Sequence, residues 1–145
     1  MTTPADRRVD TTGPRSANRT VALVFGVVYA LVGVAGFFVT QFDNVADEVG
    51  DSLLGFGVTV IHNLVHLAIG LVLIAASRRT ETARAANLAI GATYVLLAVL
   101  GPAINDSEID VFGLNGADHV LHALSGVVLA GTALLLDRKH RTRTV

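Results

Sequence analysis

The stretch Leu53–Ala76, with the sequence LLGFGVTVIHNLVHLAIGLVLIAA, decides the fold. It contains no Asp, Glu, Lys or Arg, and about 20 apolar residues suffice for a helix to cross the hydrocarbon core of a bilayer. Besides Thr59, three strongly polar side chains interrupt it: His62, Asn63 and His66. Ionisable groups at membrane depth are costly enough to mark functional positions. The stretch therefore predicts a transmembrane helix that carries a polar site.

A second stretch, Asp118–Gly126 with the sequence DHVLHALSG, repeats this arrangement. In both stretches a histidine precedes a glycine by four residues, and another polar side chain lies three positions before that histidine. Residues three or four positions apart share one face of a helix. We therefore expect one stripe on each helix, formed by Asn63, His66 and Gly70 in the first and by His119, His122 and Gly126 in the second.

Composition and the remaining apolar runs indicate an all-α membrane protein. The chain has 145 residues, of which 16% are charged, whereas a soluble domain has about 25%. We expect a membrane domain over 19–137, between a disordered cytoplasmic tail at 1–18 and a basic cytoplasmic tail at 138–145. The first run exceeds the core of roughly 7–15 residues found in signal peptides, so we interpret it as a retained helix. These features predict a four-transmembrane-helix bundle, with spans at about 21–39, 53–76, 85–104 and 117–136.

The positions of the basic residues predict the orientation of the spans. All 11 Lys and Arg precede span one, lie between spans two and three, or follow span four. The other two connections contain acidic residues and no basic ones. Cytoplasmic segments carry the excess of Lys and Arg. We therefore expect a multi-pass protein of the cell membrane with both termini in the cytoplasm.

The chain also has the pattern of an internal duplication. The sequence GVVY at 26–29 recurs as GATY at 91–94, an offset of 65 residues that matches Tyr29 with Tyr94. The histidine and glycine of the two stripes recur at an offset of 56 residues, because the second acidic loop is shorter. Each half is a helical hairpin that begins on the same side. Two such halves form parallel repeats related by a pseudo-twofold axis along the membrane normal.

Several classes of function are excluded or disfavoured. Without cysteine the chain has no disulfide, thiolate metal site, iron–sulfur cluster or cysteine nucleophile. Nucleophile elbows, phosphate-binding glycine loops and metalloprotease motifs are also absent, which argues against an enzyme. The expected partners are the lipid bilayer and either a membrane protein or a second copy of the chain, with no indication of nucleic acid.

The leading interpretation is a structural or accessory membrane protein with a buried His/Asn cluster. Membrane helices associate through small residues and interhelical hydrogen bonds. His66 and His122 could satisfy each other or bond to further polar groups, while glycines allow close helix approach. The predicted packing residues are Asn63, Gly70, Gly126, Tyr29 and Tyr94.

Two cofactor hypotheses stand beside this interpretation. The first is a b-type haem electron carrier with His66 and His122 as axial ligands, in which a glycine one turn away leaves room for the macrocycle. The second is a metal ion, since imidazole suits zinc and copper. Its predicted ligands are His62, His66, His119 and His122, with Asp118 as a further candidate. His62 and His119 are expected nearer the outer surface, where water can reach them. A proton relay or lipid-headgroup role is also open, because histidine titrates near neutral pH.

The two polar stretches resemble the signatures of a bacterial protein family. They read Asn63-Leu-Val-His66-Leu-Ala-Ile-Gly70, of the form Asn-x-x-His-Leu-x-x-Gly, and Asn115-Gly-Ala-Asp-His-Val-Leu-His122, which contains Ala-Asp-x-x-Leu-His. The family consists of small, mostly actinobacterial, four-helix integral membrane proteins classified as a domain of unknown function. The resemblance covers about 18–136 and implies a fold and a membrane location but no activity. The family pattern has asparagine where this chain has His119, which departs from strict symmetry between the halves.

Overall fold

The computed structural model describes residues 16–43, 45–46, 51–105, 107 and 109–137. The predicted tail at 138–145 lies outside the described residues, as do residues 1–15 of the predicted tail at 1–18, whereas Ala17 and Asn18 belong to the first helix. The described chain is mostly helical, with a two-stranded sheet and a short 3-10 helix at Gly101–Ala103. Its elements are α1 (Ala17–Thr40), β1 (Asp51–Leu53), β2 (Phe56–Val58), α2 (Val60–Ala76), α3 (Thr80–Leu100) and α4 (Gly116–Leu135).

Three of the helices, α1, α3 and α4, are long and apolar enough to cross a bilayer. Helix α2 has 17 residues, which is at the lower end of the roughly 17–25 residues that membrane helices use. Many apolar side chains point outward and are exposed, including Leu31, Phe38, Leu96 and Val127. In water such a surface would be unfavourable, whereas lipid tails are as apolar as these side chains. The helices are therefore consistent with a membrane protein.

The second helix begins at Val60 rather than at Leu53, the start of the predicted span. The preceding residues form an antiparallel hairpin in which Asp51 pairs with Val58 and Leu53 pairs with Phe56. Its turn has positive φ at Leu54 and at Gly55 (54° and 92°), a conformation that a helix cannot contain. The expectation of a purely helical fold is therefore wrong at this hairpin. Because the hairpin residues are also largely apolar, the apolar run in the sequence begins before the helix does.

Side chains at the starts of α2 and α4 satisfy backbone groups that a helix leaves free. The Thr59 hydroxyl accepts a hydrogen bond from the His62 N–H (3.1 Å). In α4, the Asn115 side chain accepts from the Asp118 N–H (3.2 Å) while the Asp118 carboxylate accepts from the Asn115 N–H (2.9 Å), which completes a capping box. These caps fix where each histidine-bearing helix begins.

Glycines bring the helices of each hairpin into backbone contact. A Cβ atom on Gly70 would lie 2.5 Å from the Ala30 backbone nitrogen of α1, and one on Gly126 would lie 2.8 Å from the Val95 backbone nitrogen of α3. The space one turn from His66 and from His122 is thus filled by neighbouring backbone. The macrocycle for which the sequence suggested room does not fit beside these glycines.

Candidate functional site

Three histidines from two helices meet inside the protein. The ligand atoms of His62, His66 and His122 all lie within 4.8 Å of one another, and all three side chains are at most 7% exposed. His62 and His66 are one turn apart on α2, with ring centroids separated by 4.4 Å. His122 reaches them from α4, with its ring centroid 6.2 Å from that of His62. We refer to these three residues as the histidine cluster.

The loop before α4 covers the histidine cluster. The buried Asp110 carboxylate accepts hydrogen bonds from the backbone N–H groups of Phe112 (3.3 Å) and Leu114 (3.1 Å). This places the Phe112 ring edge-on to His62, with a centroid distance of 6.0 Å. The Thr59 hydroxyl donates to the Val111 carbonyl oxygen (3.0 Å) and thereby ties the same loop to α2. The loop therefore holds an apolar ring over the cluster, a role that the sequence pattern did not reveal.

A small cavity of about 30 Å³ lies against the three histidine rings. About 10–15 Å³ of such space is enough to hold one water molecule, so the cavity has room for a small ion or for one or two water molecules. It is lined by His62, Val65, His66, Tyr94, Leu97, Phe112, Leu114 and His122. Apart from the histidines and Tyr94, this lining is apolar. The histidine rings therefore face a space that is otherwise bounded mainly by apolar side chains.

Each histidine of the cluster has a ring nitrogen without a hydrogen-bond partner. Within the described part of the chain, no donor or acceptor pairs with Nδ1 of His62, His66 or His122. A buried polar atom left unpaired costs about 1–3 kcal/mol. Three histidines that each have such an atom line one cavity, and a bound species in that cavity could pair with their rings.

Two tyrosines pack against the histidine cluster. The Tyr29 ring stacks on His66 with a centroid distance of 5.5 Å, and the Tyr94 ring lies 4.8 Å from His122. The two tyrosines meet edge-on at 5.5 Å. Their buried hydroxyls make no hydrogen bond of good geometry with a described residue, although Tyr29, Tyr94 and Ser125 lie close together. The tyrosines thus contact the histidines through their rings.

The other predicted site residues lie elsewhere. His119 is directed toward the segment that follows α3 and the 3-10 helix, where its Nε2 lies 2.8 Å from Asn105 Oδ1. Asn63 is directed toward α1, where its Nδ2 donates to the Thr40 hydroxyl at 3.5 Å. Both residues are buried, as is His62, which answers a question that the sequence leaves open. The predicted set of four metal-binding histidines separates into a cluster of three and one partner of Asn105.

Asp118, the further metal-ligand candidate, is occupied by backbone groups. One carboxylate oxygen accepts from the N–H groups of Gly57 and Asn115, both at 2.9 Å. It thus joins β2 to the start of α4. The residue interacts electrostatically with His62, but it is not among the ligand atoms that converge in the cluster. Asp118 therefore positions the start of α4 against β2 and supplies negative charge near His62.

A polar network at the opposite end of the helices was not anticipated from sequence. Asn18 donates to Asp137 Oδ2 from its backbone nitrogen (2.8 Å) and from Nδ2 (3.0 Å). The buried Asn87 donates to the carbonyl oxygen of Asn18 (3.0 Å). The hydrogen bond from the Asn18 backbone lowers the pKa of Asp137 below its ordinary value. This network connects the start of α1 to α3 and to the end of α4.

Comparison with known families places the chain in one of them. Residues 19–135 match the family described as a domain of unknown function, DUF4383. The chain belongs to this family. No curated protein and no solved structure matches it. Membership in DUF4383 confirms the expected assignment to a family of unknown function, while the actinobacterial distribution and the two signatures stay predictions. DUF4383 assigns no activity, so the function is argued from the histidine cluster.

Proposed function

We propose that the protein is an integral membrane protein that binds one metal ion through His62, His66 and His122. The observation that carries this proposal is the convergence of three buried imidazoles, with ligand atoms within 4.8 Å of one another, on a cavity of about 30 Å³. Imidazole is a common ligand of zinc and copper. Three protein ligands leave a fourth position open, as in catalytic zinc sites.

The packing interpretation accounts less well for the same residues. Polar side chains that hold membrane helices together do so by hydrogen bonding across the interface. His119 and Asn105 show that pattern. The Nδ1 atoms of His62, His66 and His122, like that of His119, have no partner within the described ranges, which is costly in the protein interior. In the cluster, unlike at His119, three ligand atoms also converge to within 4.8 Å of one another. An ion that accepts the ring lone pairs would remove this cost.

The haem interpretation requires more space than the cluster provides. A macrocycle between His66 and His122 would have to occupy a cavity of about 30 Å³ that His62, Tyr94 and Phe112 also line. The glycines one turn away contact backbone instead of open space. Admitting haem would require α2 and α4 to separate and His62 to leave the cluster. A single ion requires only small movements of the rings.

Buried negative charge near the cluster favours a cation. Asp110 and Asp118 are both buried and interact electrostatically with His62. No Lys or Arg occurs in the segments 20–77 and 85–137, which contain the cluster and both carboxylates. Burying an uncompensated charge in an apolar medium is costly. A cation held by neutral imidazoles would offset the two carboxylates without any basic side chain.

The proposal includes a bundle of two parallel repeats. The Gly26–Gly70 contact between α1 and α2 corresponds to the Gly91–Gly126 contact between α3 and α4 under the offsets of 65 and 56 residues. The same offsets relate the hydrogen bond from Arg19 Nε to the Ser77 carbonyl oxygen (2.9 Å) to that from Arg84 Nε to the Ala133 carbonyl oxygen (2.7 Å). Matched contacts at matched positions support an internal duplication. With the distribution of basic residues, they support an orientation with both termini in the cytoplasm of a cell-membrane protein.

The experiment is metal analysis of the purified protein in detergent, with His119→Ala as the matched control. Zn²⁺ and Cu⁺ are titrated into chelator-treated protein, and bound metal is counted by mass spectrometry. We expect about one ion per chain in the wild type and in His119→Ala. Loss of an outer-shell group already costs roughly 10–100-fold in metal affinity, so alanine at His62, His66 or His122 should cost at least about a hundredfold. Equal binding by all variants would overturn the proposal, and helical circular dichroism identifies variants that fail to fold.

A further inference from the structure

A second, larger cavity opens on the side of the protein between α1 and α4. Its volume is about 330 Å³, within the roughly 300–1,000 Å³ typical of small-molecule sites. Phe25 and Tyr29 of α1, Leu124 and Ser125 of α4, and His66 of α2 contribute to its lining. His66 also lines the small cavity of the histidine cluster. The lateral cavity therefore ends at the back of one cluster histidine.

The lateral cavity coincides with a difference between the two halves of the chain. Ser125 occupies the position that corresponds to Ile69 under the offset of 56 residues. Ile69 packs against the hydrophobic core. Serine has two fewer heavy atoms than isoleucine, so it leaves more space beside Tyr29 than isoleucine would. It also places a hydroxyl inside an otherwise apolar space.

The residues at the opening of the lateral cavity indicate whether an occupant enters from the lipid phase or from water. Val28 and Leu124, which line it, are 48% and 62% exposed. They lie on α1 and α4, both of which are long and apolar enough to cross a bilayer. An opening between these helices faces hydrocarbon. An occupant must therefore be soluble in the lipid phase.

The floor of the cavity is suited to a flat ring with hydrogen-bond acceptors. Phe25 meets Tyr29 edge-on at 5.8 Å, and Tyr29 stacks on His66 at 5.5 Å. The buried Tyr29 hydroxyl lies beside the side chains of Ser125 and Tyr94, yet it makes no hydrogen bond of good geometry with a described residue. An acyl chain would offer these hydroxyls no acceptor. A ring carbonyl would accept from them.

From these features we propose that the lateral cavity binds a lipid-soluble quinone. Its ring would lie among Phe25, Tyr29 and His66, a carbonyl oxygen would face the Ser125 and Tyr29 hydroxyls, and its tail would pass between Val28 and Leu124 into the lipid. This inference goes beyond the metal site and does not depend on it, because none of these contacts requires a ligand in the histidine cluster.

The test measures binding of decylubiquinone to the full chain in lipid nanodiscs. The chain has two tyrosines and no tryptophan, so quenching of tyrosine fluorescence reports on Tyr29 and on Tyr94, which packs against it. Ser125→Ile copies the filled half of the chain and should raise the Kd at least about tenfold, as expected when added methylenes occupy a pocket. Ser125→Ala keeps the cavity and removes the hydroxyl, so a smaller loss of affinity is expected. The lipid-facing variant Leu71→Phe should bind like the wild type.

Thermal melting of each variant separates loss of binding from loss of folding. Native mass spectrometry of the wild type identifies the occupant. Displacement of a bound lipid by decylubiquinone, or an empty cavity that takes up decylubiquinone, supports the proposal. A phospholipid that decylubiquinone fails to displace, or equal affinity in the wild type and a folded Ser125→Ile variant, would overturn it. Repeating the titration with His62→Ala distinguishes the two sites, because that variant should lose metal and retain the quinone.

Discussion

The contact of Gly70 with α1 can be tested by adding a single methyl group. In Gly70→Ala the new Cβ would lie 2.5 Å from the Ala30 nitrogen and 2.7 Å from the Gly26 carbonyl oxygen, whereas ordinary contact begins at 3.4 Å. Both neighbours are backbone atoms and cannot rotate away. Packed interiors transmit such strain, so α1 and α2 must separate by roughly 1 Å along this contact.

The expected free-energy change follows from two opposing terms. Overpacking of this kind costs about 1–3 kcal/mol. Replacing glycine by alanine within a helix stabilises the folded state by about 0.5–1 kcal/mol, because alanine loses less backbone entropy on folding. We therefore expect Gly70→Ala to lower the free energy of unfolding by roughly 1–2 kcal/mol.

Gly131 of α4 provides the matched control, because a Cβ there meets nothing within 4 Å. Gly131→Ala should gain the entropy term alone and stabilise the protein by about 0.5–1 kcal/mol. Reversible unfolding in mixed detergent micelles, followed by circular dichroism, measures both variants under one condition. If Gly70→Ala were as stable as Gly131→Ala, the backbone contact between α1 and α2 would be wrong.

Three further predictions concern the ends of the helices and the fourth histidine. The pKa of Asp137 is lowered in the folded state. Its contribution to stability is therefore complete above the unfolded pKa of about 3.8 and is lost as the pH falls through the folded pKa. Asp137→Asn should remove that part of the acid dependence of the unfolding free energy, measured in a denaturation series at several pH values. A reporter fused after Val145 should be active in the cytoplasm and one inserted between Asp43 and Asp51 should be external, and the reverse result would contradict the orientation. His119→Ala should leave Asn105 without its partner and reduce the free energy of unfolding by about 1–2 kcal/mol without loss of metal. Retained stability would contradict the pairing of His119 with Asn105.

The sequence predicted the helices better than the element that precedes α2. Apolar periodicity and the absence of charge identified all four helical runs. However, a short apolar run can form a strand as readily as a helix. The residues before Thr59 were therefore assigned to the helix, although Gly55 and Gly57 occur among them. The positive φ at Leu54 and Gly55 depends on the hairpin and could not be inferred from composition.

The sequence predicted only part of the candidate site. Helical periodicity correctly placed His66 and His122 on interior faces, because spacing defines which residues share a face. It does not define which neighbouring helix that face meets. Gly36 admits the Asn63 side chain toward α1 and Gly101 admits His119 toward α3, since a Cβ at either glycine would collide with it. These contacts divide residues that the sequence had placed in one group.

The central claim is that three imidazoles share one ion, and X-ray absorption at the metal edge tests it most directly. The measurement uses zinc-loaded wild type, His62→Ala and His119→Ala in lipid nanodiscs. We expect three imidazole nitrogens at about 2.0–2.1 Å in the wild type, an unchanged spectrum in His119→Ala, and loss of the three-imidazole shell in His62→Ala. A first shell of oxygen alone, or a shell altered by His119→Ala and unaffected by His62→Ala, would contradict the account.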